Sequence, residues 1–197
     1  MRIRKWFILG LQKDESIHLN VPVYRQTKNY TCVPSCCKMM LDYVNQVILT
    51  KPESDLDEDR IADIMNTTIS GTHFTDIENI NAVMTSSNPS LEFLTEFEAH
   101  TLDDIKRELK AGLPVSVWVK PADGSNYYFH SVVVTGIDDS KKKISFNDPT
   151  YGKEYTIGQS EFMSMWEFSG TRMIKTKIGR ISRETLEQYM SDEVSNE

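Results

Sequence analysis

The spacing of apolar residues changes character midway along this chain, and that change constrains the fold more than any single motif does. Before Gly112, LDEDRIADIM, DIENINAVM and LDDIKRELKA carry apolar residues at helical intervals among charged ones, and SCCKMMLDYV reads as a buried helix. After Pro114 the pattern becomes short β-branched or aromatic runs, VSVWV, FHSVVVTGI, KISFND and TRMIKTKI, separated by turn residues. Helices grouped ahead of strands imply an α+β domain, its N-terminal helical half packed on a C-terminal antiparallel β-sheet, rather than an alternating parallel-sheet fold. SEFMSMWEF over 160–168 is expected to form a helix against that sheet, and IHLNVPVYR over 17–25 a strand leading into a loop from Gln26 to Cys32.

Helix ends carry their own signals. Pro34 stands near the first helical position, where its missing N–H costs nothing. Thr75 with Glu78, and Thr101 with Asp104, have capping-box spacing, and Gly112 with Pro114 ends the last early helix. With 197 residues and no repeats, the chain reads as one unit over 1–197, with about 1–15 and 186–197 peripheral. Such a chain buries roughly 70% of its unfolded surface and needs neither disulfide nor metal for stability.

Charge and cysteine use exclude several functions. A formal charge of −7, from 29 acidic and 22 basic residues, argues against nucleic acid or an anionic membrane as partner. The basic run Lys141–Lys143 falls in an expected hairpin turn and reads as solvated. No stretch approaches the ~20 apolar residues of a membrane span, and MRIRKWFILGLQ is too short for a signal-peptide core and has no small-residue cleavage site. Cys32, Cys36 and Cys37 are odd in number and too close for a disulfide framework, which suits free thiols in a reducing, cytoplasmic setting. Asp55, Asp57 and Asp59 copy the opening of a calcium loop, but Arg60 stands where glycine is needed, so a solvated helix start is expected and no metal. The three cysteines lack a second Cys or His pair at zinc-finger spacing.

Two residue groups carry chemistry. In QTKNYTCVPSC, Cys32 stands at the start of the buried helix, where unpaired N–H groups and the positive dipole end favour a thiolate. Far downstream, a hairpin turn centred on Asp139 would oppose His130 to Asp148, Val132 to Phe146 and Val134 to Ile144, giving one face a consistent apolar character. Opposed residues have Cβ atoms about 5 Å apart, so the carboxylate can hold one imidazole nitrogen and leave the other for a thiol. Nucleophile, base and orienting group are then all present, and this chemistry needs no cofactor.

With Gln26, Cys32, His130 and Asp148 in hand, the chain resembles the papain-like cysteine peptidases that cut double-glycine bacteriocin leaders, and their stand-alone relatives. VPVYRQTKNYTCVPSCCKMMLDY is similar to that family's glutamine-loop-cysteine-helix segment. HSVVVTGIDDSKKKISFNDPTYG is similar to its histidine segment with an Asp-Pro-x-x-Gly turn, and GTHFTDIENI is a weaker match between them. The resemblance implies a papain-like fold and a peptide or protein substrate. It implies Cys32 as nucleophile, His130 as general base, Asp148 as its orienter and Gln26 as side-chain donor to the oxyanion. The family usually places an acidic residue before the nucleophile and glycine after it, where this chain has Thr31 and Val33; the acidic stretch PESDLDEDR is a candidate insertion. The sequence contains no GxxxxGK[ST] phosphate loop, so a stand-alone relative is expected rather than an exporter's peptidase portion.

Three functions fit these residues: a thiol hydrolase of peptide or isopeptide bonds, an acyl or peptidyl transferase using the same thioester, and a binding module with a retired cleft. Trp118, Tyr128 and Phe129, with Tyr127, are candidate walls for an extended peptide.

Overall fold

The computed structural model describes residues 16–49, 54–87, 91–121, 124 and 128–179. Tyr127, residues 1–15 and residues 186–197 lie outside them. The helix at Cys32–Tyr43 (α1) is buried almost all round, from Val33 through Met39, Met40 and Leu41 to Tyr43, as befits a helix enclosed between other elements. Its buried Asp42 is fully engaged: it accepts from Tyr24 Oη at 3.0 Å, Lys38 Nζ at 2.9 Å and Ser54 N–H at 3.0 Å. A charge removed from water needs such partners. A π-helical turn, Val44–Ile48, extends the helix.

Short helices follow at Glu58–Ile64 (α2) and Ile80–Ser87 (α3), then Leu102–Lys110 (α4). The Asp-rich stretch starts α2, where Asp57 Oδ1 caps the Arg60 N–H at 2.7 Å. The Thr101–Asp104 capping box forms, and Gly112, at φ +78°, turns the chain out of α4. The Thr75–Glu78 box does not form. That segment begins as a 3₁₀ helix at Phe74–Asn79 capped by His73, while Glu78 accepts from the Thr95 N–H instead.

Among the described residues seven strands make one antiparallel sheet: Ser16–His18 (β1), Leu91–Glu96 (β2), Val115–Val119 (β3), His130–Asp138 (β4), Lys143–Asp148 (β5), Lys153–Gly158 (β6) and Met173–Ile178 (β7). Their order is β2-β7-β3-β4-β5-β6, with β1 on the far end of β4. Of the expected 17–25 strand only Ile17 and His18 join the ladder, with Ser16 ahead of them, and Pro22 beyond them has no N–H to donate. Strands β2 and β6 were not anticipated.

Period-two alternation sorts the core into two layers. Trp118, Val133 and Ile174 point to α1; Val115, Val117, Val119, Val132 and Val134 point to the opposite layer with α4 and the helix Gln159–Trp166 (α5). On the α1 face the sheet presents Ser116 and Ser131, whose hydroxyls pair at 2.8 Å and hydrogen-bond the Cys36 thiol. These small side chains suit close approach of the helix carrying Cys32.

The β4–β5 register corrects the expected hairpin. Its turn occupies Asp139–Lys142, with Ile137 opposite Ile144 and Gly136 opposite Ser145. A bulge at Thr135 then shifts the ladder, so that Val134 meets Phe146 and Val133 meets Asn147. Two anchors hold this turn: Lys106 of α4 pairs with Asp139, and the Gln159 N–H donates to the Lys142 carbonyl at 2.9 Å.

Candidate active site

Cys32 is the first residue of α1 and is partly exposed. The preceding Thr31 is buried and spends its hydroxyl on the loop, donating to the Lys28 carbonyl at 2.9 Å and accepting from the Lys28 N–H at 3.1 Å. The helix start therefore has no side-chain cap, and its first N–H groups face the site without competition from one. Cys36 and Cys37 lie fully buried in the same helix, their thiols pushed up by burial and by the charge of Cys32.

His130 opens β4 and Asp148 closes β5. By continuation of the ladder Asp148 lies beside Val132, one same-face step from His130, so the two meet diagonally rather than directly. His130 Nε2 stands 2.8 Å from Asp148 Oδ1, and the ring interacts with Cys32 strongly enough for that thiol to help hold its proton. Burial disfavours the charged ring, but the hydrogen bonds to Asp148 and Cys32 and both their charges outweigh it, raising His130 from 6.5 to about 9. The folded value lies above the unfolded one, so this stabilisation is complete below about pH 6.5 and disappears as pH rises through about 9. Urea denaturation should show stability falling more steeply across that window in the parent protein than in a His130→Gln variant. Parallel curves would refute the coupling.

Gln26 reaches this pair through the Asp-Pro-x-x-Gly turn. Its N–H donates to the Pro149 carbonyl at 2.8 Å, and Thr150 links the groups: its N–H donates to Asp148 Oδ1 at 2.9 Å, and its hydroxyl lies 3.4 Å from both Gln26 Oε1 and His130 Nε2. One N–H of the Gln26 amide is spent on the Lys28 carbonyl at 2.6 Å, which leaves its second N–H for another acceptor. Thr150 was missed in the sequence; an Asp-Pro-Thr turn, where Asp accepts from the N–H two residues on, was the available signal. Gly152 completes the turn at φ +60°, and a Cβ there would stand 2.9 Å from Arg25 Cβ and 3.3 Å from its backbone. Gly152→Ala is expected to cost about 1–3 kcal/mol in thermal or urea unfolding and to reduce turnover by displacing Gln26; unchanged values for both would refute that role.

The acidic stretch also serves the glutamine loop. Glu58, nearly buried, accepts from both the N–H and the hydroxyl of Thr27, at 2.8 and 2.7 Å, and Lys28 pairs with Asp59 at 2.8 Å.

Trp118, Tyr128 and Phe129 line a cleft of about 530 Å³ together with Cys32 and Val33. Its other wall is the irregular segment 66–76, including His73 and Phe74, which the sequence marked only through GTHFTDIENI. Phe74 stacks edge-on against Trp118 at 4.8 Å and lies 6.0 Å from Phe129, so the aromatic lining is continuous. Among the described residues no group of three His, Cys, Asp or Glu side chains is placed to hold a metal, and no helix is long and apolar enough to cross a membrane.

The sequence matches the model of the family described as Peptidase_C39 like over residues 18–174. No curated protein matches it. Among solved structures, a Bacillus anthracis protein described as a C39-like peptidase is 18% identical, with 85% of this chain and 99% of that chain covered and a TM-score of 0.62. The peptidase domain of Streptococcus ComA, a bi-functional ABC transporter involved in a quorum sensing pathway, is 18% identical over 80% of this chain and 98% of that one, at a TM-score of 0.55. Xylellain, a cysteine protease from Xylella fastidiosa, is 13% identical over 84% and 86%, at a TM-score of 0.54. These likenesses establish a shared, papain-like fold.

Proposed function

This chain belongs to the Peptidase_C39-like family of cysteine peptidases, and on that premise we propose that it hydrolyses a peptide or isopeptide bond of a peptide or protein substrate through Cys32, His130, Asp148 and Gln26. The observation that carries the reading is the single imidazole in contact with both Cys32 and Asp148, its proton held up to about pH 9. The Cys32 sulfur, as thiolate, attacks the carbonyl carbon. The displaced electron pair settles on the carbonyl oxygen, which accepts from the free Gln26 N–H and the Cys32 backbone N–H. The C–N bond breaks as His130 gives its proton to the leaving amine, leaving a thioester on Cys32. Water then attacks the thioester while neutral His130 takes its proton, and the C–S bond breaks, returning its electron pair to the Cys32 sulfur as thiolate and releasing the carboxylic acid. Asp148 orients the ring throughout.

Trp118, Tyr128 and Phe129 contact the substrate on the Cys32 side. Val33, buried where the family's glycine usually stands, narrows this cleft. The free cysteines suit action in a reducing compartment such as the cytoplasm.

Incubation with a proteome-derived peptide library, followed by acid quench and mass spectrometry, tests the reading. A thioester adduct on Cys32 and products with new free carboxyl ends are expected. Products capped by an added amine would instead indicate a transferase, and the absence of both adduct and products would reject the enzyme. Gln26→Ala is expected to lower kcat on the order of 100-fold with little effect on folding; an equal kcat would remove the amide from the mechanism.

A further inference from the structure

Cys32 and His130 open onto different hollows. Cys32 lines the cleft with Val33 and Trp118, whereas His130 and Asp148 line a second hollow of about 430 Å³ that shares no residue with the first. A smaller depression of about 220 Å³ joins them: it includes Tyr128 of the first and His130, Asp148 and Tyr151 of the second, with Gln26 between. The three hollows thus adjoin through shared wall residues and form a groove beside the reacting groups.

The chemistry gives this groove a direction, an argument that rests on the proposed hydrolysis. The acyl fragment ends bonded to the Cys32 sulfur and so occupies the Cys32 side. The leaving amine must receive its proton from His130, which puts the amine fragment on the His130 side. We propose that the second hollow is a binding subsite for a large apolar or aromatic side chain near the new N-terminus of the leaving fragment.

Its construction fits that occupant. Phe146 and Tyr155 lie directly opposite one another across β5 and β6, and their rings stack at 5.9 Å and 26°. Tyr151 meets Tyr155 edge-on at 6.2 Å, and Met165 of α5 closes the floor with its adaptable thioether. Tyr151 is 51% exposed and Tyr155 37%, although both carry large rings; apolar surface left open beside reacting groups marks a place for a ligand. The two remaining charged residues of the hollow, Lys120 and Glu161, are of opposite sign and select neither charge. An aromatic side chain offers the area and edge-to-face geometry that this ring cluster complements.

The test uses the full chain and the same peptide library, reading the first residues of each new amine fragment. Parent protein should enrich large apolar residues there. Tyr155→Ala should lower kcat/KM for those peptides about tenfold without moving the thermal midpoint, and Tyr155→Phe should restore it. Cleavage without that enrichment, or enrichment unchanged in Tyr155→Ala, overturns the proposal. If nothing is cleaved, the hydrolase reading fails, and retention decides the subsite separately. Immobilised Cys32→Ala should retain peptides bearing large apolar residues, and Cys32→Ala with Tyr155→Ala should lose them. Equal retention by the two overturns the subsite.

Discussion

Cys32→Ala is expected to abolish peptide turnover, by roughly 10⁴-fold or more, while leaving the unfolding midpoint nearly unchanged. The side chain is only partly buried and lies at a helix end, so its loss opens no enclosed cavity. Cys36 and Cys37 cannot substitute: both are fully buried in α1 with thiols pushed well above the ordinary range. The same contrast predicts that iodoacetamide modifies Cys32 alone in the folded protein. Substantial residual turnover, labelling of all three thiols, or a collapse in stability would each reject Cys32 as the nucleophile.

Asp148→Ala carries the second large effect, a loss on the order of 10³–10⁴-fold in kcat. Removing this carboxylate takes away the 2.8 Å partner of His130 and the acceptor of the Thr150 N–H together, so the ring loses its orientation and the turn loses a tie. It also removes a hydrogen bond and a charge that hold the His130 proton. The alkaline limb of the kcat/KM profile, expected near pH 9 in the parent protein, should therefore move to lower pH in the variant. A profile that keeps its alkaline limb would show that the carboxylate does not govern the imidazole.

The fold class was legible because apolar spacing reports burial directly, and α4 with its capping box and β3 with its β-branched run were both marked locally. Strand β2 also alternates, burying Leu91 and Phe93, but it follows a helical run without a long apolar segment of its own. Edge strand β6 is largely exposed and polar, which leaves no periodic trace. The His130–Asp148 contact was found through a register that was itself wrong. The expected pairing set the two residues face to face across a shorter turn. The bulge at Thr135 restores the parity that the longer turn would reverse, so both side chains still share one side of the sheet. Nothing local announces that bulge except Gly136, where a Cβ would come within 2.8 Å of the Ile17 carbonyl of β1. Glu58 and the 66–76 wall escaped because their roles depend on segments that meet only in three dimensions, as do the contacts of Thr150 with Gln26 and His130.

That same irregularity in β4 ties the chemistry to the connection between Asp139 and Lys142, because the two together set which side of the sheet His130 faces. One inserted residue at that connection would turn His130, nine positions from Asp139, to the other side of the sheet unless the bulge changed with it. The connection, braced from outside by Lys106 and Gln159, is thus a poor place to splice in a fluorescent tag or affinity handle, since a change of length there must be matched in the strand to keep the reactive ends aligned.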